Sequence, residues 1–271
     1  LTIVFADQWE SEGMDLKSLA LSDEQNALIE KVAAANPRTV VVFESGTAVT
    51  MPWIDKVAGV VEAWYAGSSG HKALANVLTG AVNPSGKLPI TFPKDENDLP
   101  HPVIPPAPDW DPAHTKGRAV SLPTNYAVNY NEGAEVGYKW FEAEHKQPLF
   151  AFGFGLSYTS YRYSGLSIDA VAKTVSFTVT NTGNRAGAEI AEVYAKLPQT
   201  SDESAYKRLA GWKRIALAPG ESQKVTVPID ARVLETFDET TNNWSLASGE
   251  YAVFVGGSSD KTPLMGSLAI R

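Results

Sequence analysis

Three short apolar runs set the terms for the first third of the chain: LTIVFA at 1–6, TVVVFESG at 39–46 and GVVEAWYAG at 59–67. Each is rich in β-branched residues and lacks polar–apolar alternation, so each fits a strand covered on both faces. The segments between them carry helix punctuation. SDEQNALIEKVAAANP opens on Ser22 with Gln25 three residues later, a capping-box spacing, and stops at Asn36-Pro37. Ala27, Leu28, Ile29, Val32 and Ala35 form its expected apolar face. MPWIDKV reads as a short helical turn, and GHKALANVLTG as a helix ending at Gly80. Strand and helix in alternation predict a parallel α/β sheet.

The texture then changes. PKDENDLPHPVIPPAPDWDPAHTKGRAVSLP is proline-rich and aperiodic, which marks a long connector. The last third shows two-residue alternation between glycine- and proline-marked turns, from YRYSGLSI through GEYAVFVGG. That predicts a sandwich of about seven strands. The chain has no cysteine, which removes the immunoglobulin disulfide and favours a fibronectin type III-like version. The expected division is an α/β domain over 1–95, a connector over 96–157 and a sandwich over 158–271. LTIVFA has no basic lead-in and is too short for a signal-peptide core. The chain therefore reads as cut partway through its first domain, with the opening units of the sheet elsewhere.

Composition narrows function by exclusion. A formal net charge of -8 over 271 residues argues against nucleic acid or an anionic membrane as partner. Without cysteine there is no thiolate metal site and no cysteine nucleophile. The histidines, at 71, 101, 114 and 145, show no metal-ligand spacing and fit loop or surface positions. Gly67-Ser68-Ser69-Gly70 is one residue short of a nucleophile elbow and fits a strand-to-helix turn. Gly153 and Gly155 lack a third glycine and a following helix, so a tight turn is expected there. Asn243-Trp244-Ser245 matches a glycosylation sequon, a pattern common by chance.

The acid cluster after the first run is the feature with chemical promise. Glu10, Glu12 and Asp15 follow the carboxyl end of a strand in an open parallel sheet, where ligands gather. Trp9 offers a flat apolar face to a sugar ring or base, or packs at a domain boundary. The same acids also fit a solvated loop before a helix. Trp53, Trp64, Trp140 and Trp212 are expected mostly in cores and interfaces.

Longer stretches carry a resemblance. EAWYAG…ALANVLTGAVNPSGKLPITFP is similar to the second domain of glycoside hydrolase family 3, and VGYKWFE…PLFAFGFGLSYT to that family's passage into its fibronectin type III-like domain. The resemblance covers nearly the whole chain, 96–130 being least typical. Around WESEGMD it looks most like bacterial exo-acting β-glucosidases and glucan glucohydrolases.

The resemblance implies a retaining β-glucosidase with no cofactor. Its partner would be an N-terminal chain or domain, a TIM-like barrel carrying an aspartate nucleophile. The substrate would be a β-glucoside, and the compartment periplasmic or extracellular. The family's acid/base glutamate lies in the loop after this strand, about ten residues before the helix that SDEQ begins. Glu12 fits that spacing; Glu10, two residues early, is the fallback, and Asp15 fits a structural loop carboxylate. The SGEG and HEASSR wordings common in the family are absent, so spacing alone selects Glu12. Trp9 would then receive the leaving sugar. To act as an acid near neutral pH, Glu12 would need a pKa above about 4.3, and burial against Trp9 would push it that way. A β-xylosidase or N-acetylglucosaminidase of the same family is the rival enzyme. A carbohydrate-binding or structural module is the rival of another class.

Overall fold

The computed structural model describes residues 1–12, 16, 18–102, 129–199 and 203–271. The chain forms two compact units, Leu1–Ala75 with Phe92–Gly133, and Asn76–Thr91 with Ala134–Arg271. The stretch 76–91, which in the sequence continues the α/β pattern, thus clusters with the sandwich.

In the first unit β1 (Thr2–Asp7), β2 (Thr39–Glu44) and β3 (Gly59–Glu62) pair in parallel in the order β1-β2-β3. Parallel neighbours need a crossover, and α1 (Asp23–Ala35) supplies it between β1 and β2. The central β2 buries Val41, Val42 and Phe43 completely. Phe43 meets the buried Trp53 ring at 5.6 Å, and the Trp53 indole N–H donates to Asn26 Oδ1 at 2.9 Å. That partner is what makes a fully buried indole tolerable.

Two expectations fail here for physical reasons. β1 is not covered on both faces: Val4 and Ala6 are buried, but Ile3 is exposed and Phe5 is 63% exposed. Ile3 and Phe5 share the face opposite Val4 and Ala6, and a run's composition does not reveal whether something covers each face. In α1 the inward residues are Ile29 and Ala33, while Ala27, Leu28 and Ala35 face out. Ser22 does cap the helix, accepting from the Gln25 amide at 3.2 Å. The Gln25 side chain does not return to close the box. It pairs with the Asp7 backbone instead, donating from Nε2 to the carbonyl at 2.9 Å and accepting from the amide at 3.1 Å. Between β3 and the helix α2 (Gly70–Leu78), Gly67–Ser69 make a 3-10 turn, as the spacing predicts.

After its 76–91 stretch the second unit continues with α3 (Tyr138–Ala143), followed by β4 (Tyr161–Asp169), β5 (Thr174–Asn181), β6 (Gly187–Lys196), β7 (Lys207–Leu217) and β8 (Ser222–Pro228). A hairpin of β9 (Glu235–Asp238) and β10 (Asn243–Leu246) precedes β11 (Gly249–Gly256) and β12 (Leu264–Ile270). Antiparallel sheets β4-β5-β8 and β12-β11-β6-β7 form the seven-stranded sandwich. Phe177, Val193, Tyr251 and Leu268 fill its core. The 76–91 stretch is held to it by Asn83 Nδ2 donating to Ala186 O at 3.0 Å and by a Lys87–Glu189 ion pair at 3.3 Å. Trp212 on β7 is 65% exposed and so is not a core residue of this chain.

Candidate active site

The carboxyl ends of β1, β2 and β3 converge, and each delivers a polar group. β1 runs into Gln8, Trp9, Glu10, Ser11 and Glu12. β2 runs into Ser45 and Gly46. β3 ends on Glu62, followed by Trp64 at φ 51° and then Tyr65.

Hydrogen bonds fix the loop after β1 at both feet. Tyr65 Oη donates to Gln8 O at 2.6 Å. The Gly46 N–H donates to Glu10 Oε1 at 3.0 Å. The Gln8 side-chain amide reaches across to Ser18 O at 3.4 Å and Ala20 O at 3.3 Å. On the returning side, Ser18 Oγ and the Leu19 N–H donate to Glu96 Oε1 at 2.5 and 2.7 Å. Glu12 stands exposed between these anchors, and no hydrogen bond or ion pair among the described residues engages its carboxylate. Asp15 lies outside the described residues.

Trp9 is 61% exposed, so the burial expected of Glu12 against Trp9 is not provided by this chain. Glu10 has a different fate from Glu12, since its carboxylate is committed to Gly46. A Cβ at Gly46 would lie 2.6 Å from Glu10 Oε2 and 3.2 Å from the Tyr65 ring, so only glycine permits that approach.

Sequence reasoning missed Glu62. It receives the Trp64 N–H on Oε1 at 2.8 Å and meets Ser45 Oγ through Oε2 at 3.2 Å. Ser45 Oγ also lies 2.9 Å from Thr47 O, to which it can only donate. A hydroxyl has one proton, so both contacts are satisfied at once when Glu62 carries a proton and donates to Ser45. Burial pushes the Glu62 carboxyl up to about 7, and the charge on Glu10 adds to this, against the opposing hydrogen bonds from Trp64 and Ser45. The available signal was a lone acid closing the otherwise apolar GVVE run at a strand's carboxyl end.

The remaining candidates are quieter. His71 and His145 are exposed, His101 pairs with Glu132 at 2.7 Å, and His114 lies outside the described residues. Among the described residues no three metal-ligating side chains gather to hold an ion, and no helix is long and apolar enough to cross a membrane. Gly153 adopts φ 80° in a tight turn, as expected.

Residues 1–158 match the family described as glycosyl hydrolase family 3 C-terminal domain, and 189–259 match the fibronectin type III-like domain. β-Glucosidase B of Emericella nidulans is 39% identical over 270 residues, covering 95% of this chain and 31% of that protein. Thermostable β-glucosidase B of Acetivibrio thermocellus is 37% identical over 280 residues, covering 100% of this chain and 35% of that protein. The crystal structure of DesR, a β-glucosidase from Streptomyces venezuelae in complex with D-glucose, superposes with a TM-score of 0.83 at 37% identity, over 99% of this chain and 33% of that one. The chain spans about a third of the length of these relatives. They come from a fungus and from bacteria, so the expected narrowing to bacterial members is not supported.

Proposed function

The chain belongs to glycosyl hydrolase family 3, and on that premise we propose that it is the part of an exo-acting, retaining β-glucosidase that supplies the general acid/base. The carrying observation is the loop after β1. It leaves the carboxyl end of a parallel sheet, is anchored at both feet, and presents Glu12 to solvent while Glu10 is engaged by Gly46.

In this reading an aspartate on a barrel outside this chain attacks the anomeric carbon. Glu12 protonates the departing glycosidic oxygen, which lets the C–O bond break without releasing an alkoxide. In the second step the same carboxylate takes a proton from water as that water attacks the glycosyl–aspartate intermediate. Trp9, exposed three residues before Glu12 on the same loop, is the surface for the leaving sugar; an aromatic face suits a neutral pyranose. The substrate is taken as a terminal β-glucoside because the named relatives are β-glucosidases. A barrel seated over the sheet's carboxyl ends would also cover Glu12, giving the desolvation an acid needs. The division 1–95, 96–157 and 158–271 is kept as the proposed domain plan.

The test is Glu12→Gln in the full-length protein that contains this chain. Hydrolysis of glucosides with poor leaving groups should fall by about a hundredfold or more, the usual share of general acid catalysis. Activated aryl glucosides, which depart without protonation, should fall much less. Unchanged rates on both would end the assignment.

A further inference from the structure

Resting on that reading of Glu12, we propose that Glu62 is a positioning residue for the proton donor, holding the turn after β2 whose amide in turn holds Glu10, two residues before Glu12. The chain of contacts is short. Trp64 N–H to Glu62 Oε1 and Ser45 Oγ to Glu62 Oε2 fix the carboxyl at 2.8 and 3.2 Å. Ser45 carries Gly46, and the Gly46 amide grips Glu10 at 3.0 Å. Tyr65, three residues past Glu62, holds Gln8 O at 2.6 Å from the same strand exit. The exit of β3 therefore sets the β1 loop at two points, Gln8 and Glu10, on the side from which Glu12 departs.

Glu62 is not itself the donor, because both its oxygens are turned to protein partners. Its neighbours explain why it is a carboxyl that keeps a proton. The charged groups facing this corner are Glu10 and, across Tyr65, Asp7. A proton on Glu62 relieves repulsion with Glu10 and completes the relay through Ser45 to Thr47 O. A glutamine would reproduce that state, accepting from Trp64 and donating to Ser45. A leucine would leave the Trp64 amide without its acceptor and the Ser45 turn without its brace.

The experiment measures kcat and KM in the full-length enzyme for one glucoside with a poor leaving group and one activated aryl glucoside. Glu62→Gln should stay within about twofold of the parent on both. Glu62→Leu should lose about ten- to a hundredfold in kcat on the poor leaving group, with KM little changed and the aryl glucoside nearly spared, as misplacement of the acid by about an ångström would produce. Gly46→Ala tests the same linkage without touching Glu62. Its new methyl displaces the flexible Glu10 carboxylate from the amide, and the same leaving-group selectivity should appear. If Glu62→Leu fails to fold, Gly46→Ala decides alone. Equal losses on both substrates, no loss in either variant, or Glu62→Gln as damaging as Glu62→Leu would each overturn the proposal. Glu12→Gln run alongside separates the failures. A non-selective Glu12→Gln removes the acid assignment and this inference with it. A selective Glu12→Gln beside a non-selective Glu62→Leu removes only the role of Glu62.

Discussion

Carboxyl groups in this chain are told apart by what surrounds them rather than by sequence spacing. Glu12 is exposed and Glu10 engages a backbone amide. Glu62 and Glu192 are held above the ordinary carboxyl range. Glu192, on β6, is 4% exposed and accepts from Tyr194 Oη at 2.6 Å. Burial pushes it up to about 7, with Glu189 adding to the shift and Tyr194 and Lys87 opposing it. The sign follows from linkage. The folded chain holds a proton that the unfolded chain has released above about 4.5, so this contribution to stability is complete below that pH and is lost as pH rises through about 7. At about 1.4 kcal/mol per pKa unit the whole effect is at most a few kcal/mol. Urea unfolding at pH 5 and pH 8 should show the second unit more stable at pH 5. Glu192→Gln should flatten that difference, and parallel pH slopes for parent and variant would refute it. That Glu12 falls in the loop between β1 and α1 was legible because both flanking signals are local, and its role as the acid/base is the reading proposed above. Glu62 was not legible, because its meaning depends on Ser45 and Glu10, brought alongside only when three strands align.

Elements were legible to the degree that their signals are carried within themselves. The β2 run and the Ser22 cap both read correctly, since burial of a central strand and a donor at N3 follow from the segment's own residues. The destination of the Gln25 side chain did not, because a free backbone at the end of β1 competed for it and won. The exposed face of β1 and the rotated inward stripe of α1 likewise depend on which neighbours lie alongside. This separates two roles at the start of α1. Ser22→Ala removes the acceptor for the Gln25 amide and should cost about 1 kcal/mol, while Ser22→Gly should cost only a few tenths. Gln25→Ala leaves that cap intact but frees both Asp7 backbone groups. Its expected mark is faster hydrogen exchange at the Asp7 amide, with helix content by circular dichroism unchanged. If Gln25→Ala instead lowered helix content as Ser22→Ala does, the side chain would be serving the helix and not the strand.

At the scale of the molecule, the first unit presents a three-stranded sheet with β1 and β3 at its two edges among the described strands. On β1 the side chains of Ile3 and Phe5 share the face of the sheet opposite buried Val4 and Ala6, and both are exposed, as is Leu1 just before the strand. Parallel sheets are normally covered on both faces, and an exposed face bearing large apolar side chains invites a covering partner. The relatives are about three times as long as this chain, and the proposed enzyme would place more of the polypeptide against this face. The chain by itself is therefore expected to self-associate, and light scattering after size exclusion should give a mass above 29.2 kDa that rises with concentration. Phe5→Lys should restore the monomer. It should also weaken capture of the remaining polypeptide, supplied in trans, by about ten- to a hundredfold, since burying a phenylalanine side chain contributes about 1.5–3 kcal/mol. The paired readout matters, because an adventitious sticky patch would be cured by the lysine without any loss of capture. A parent chain that stays monomeric at high concentration would remove this face as a docking surface.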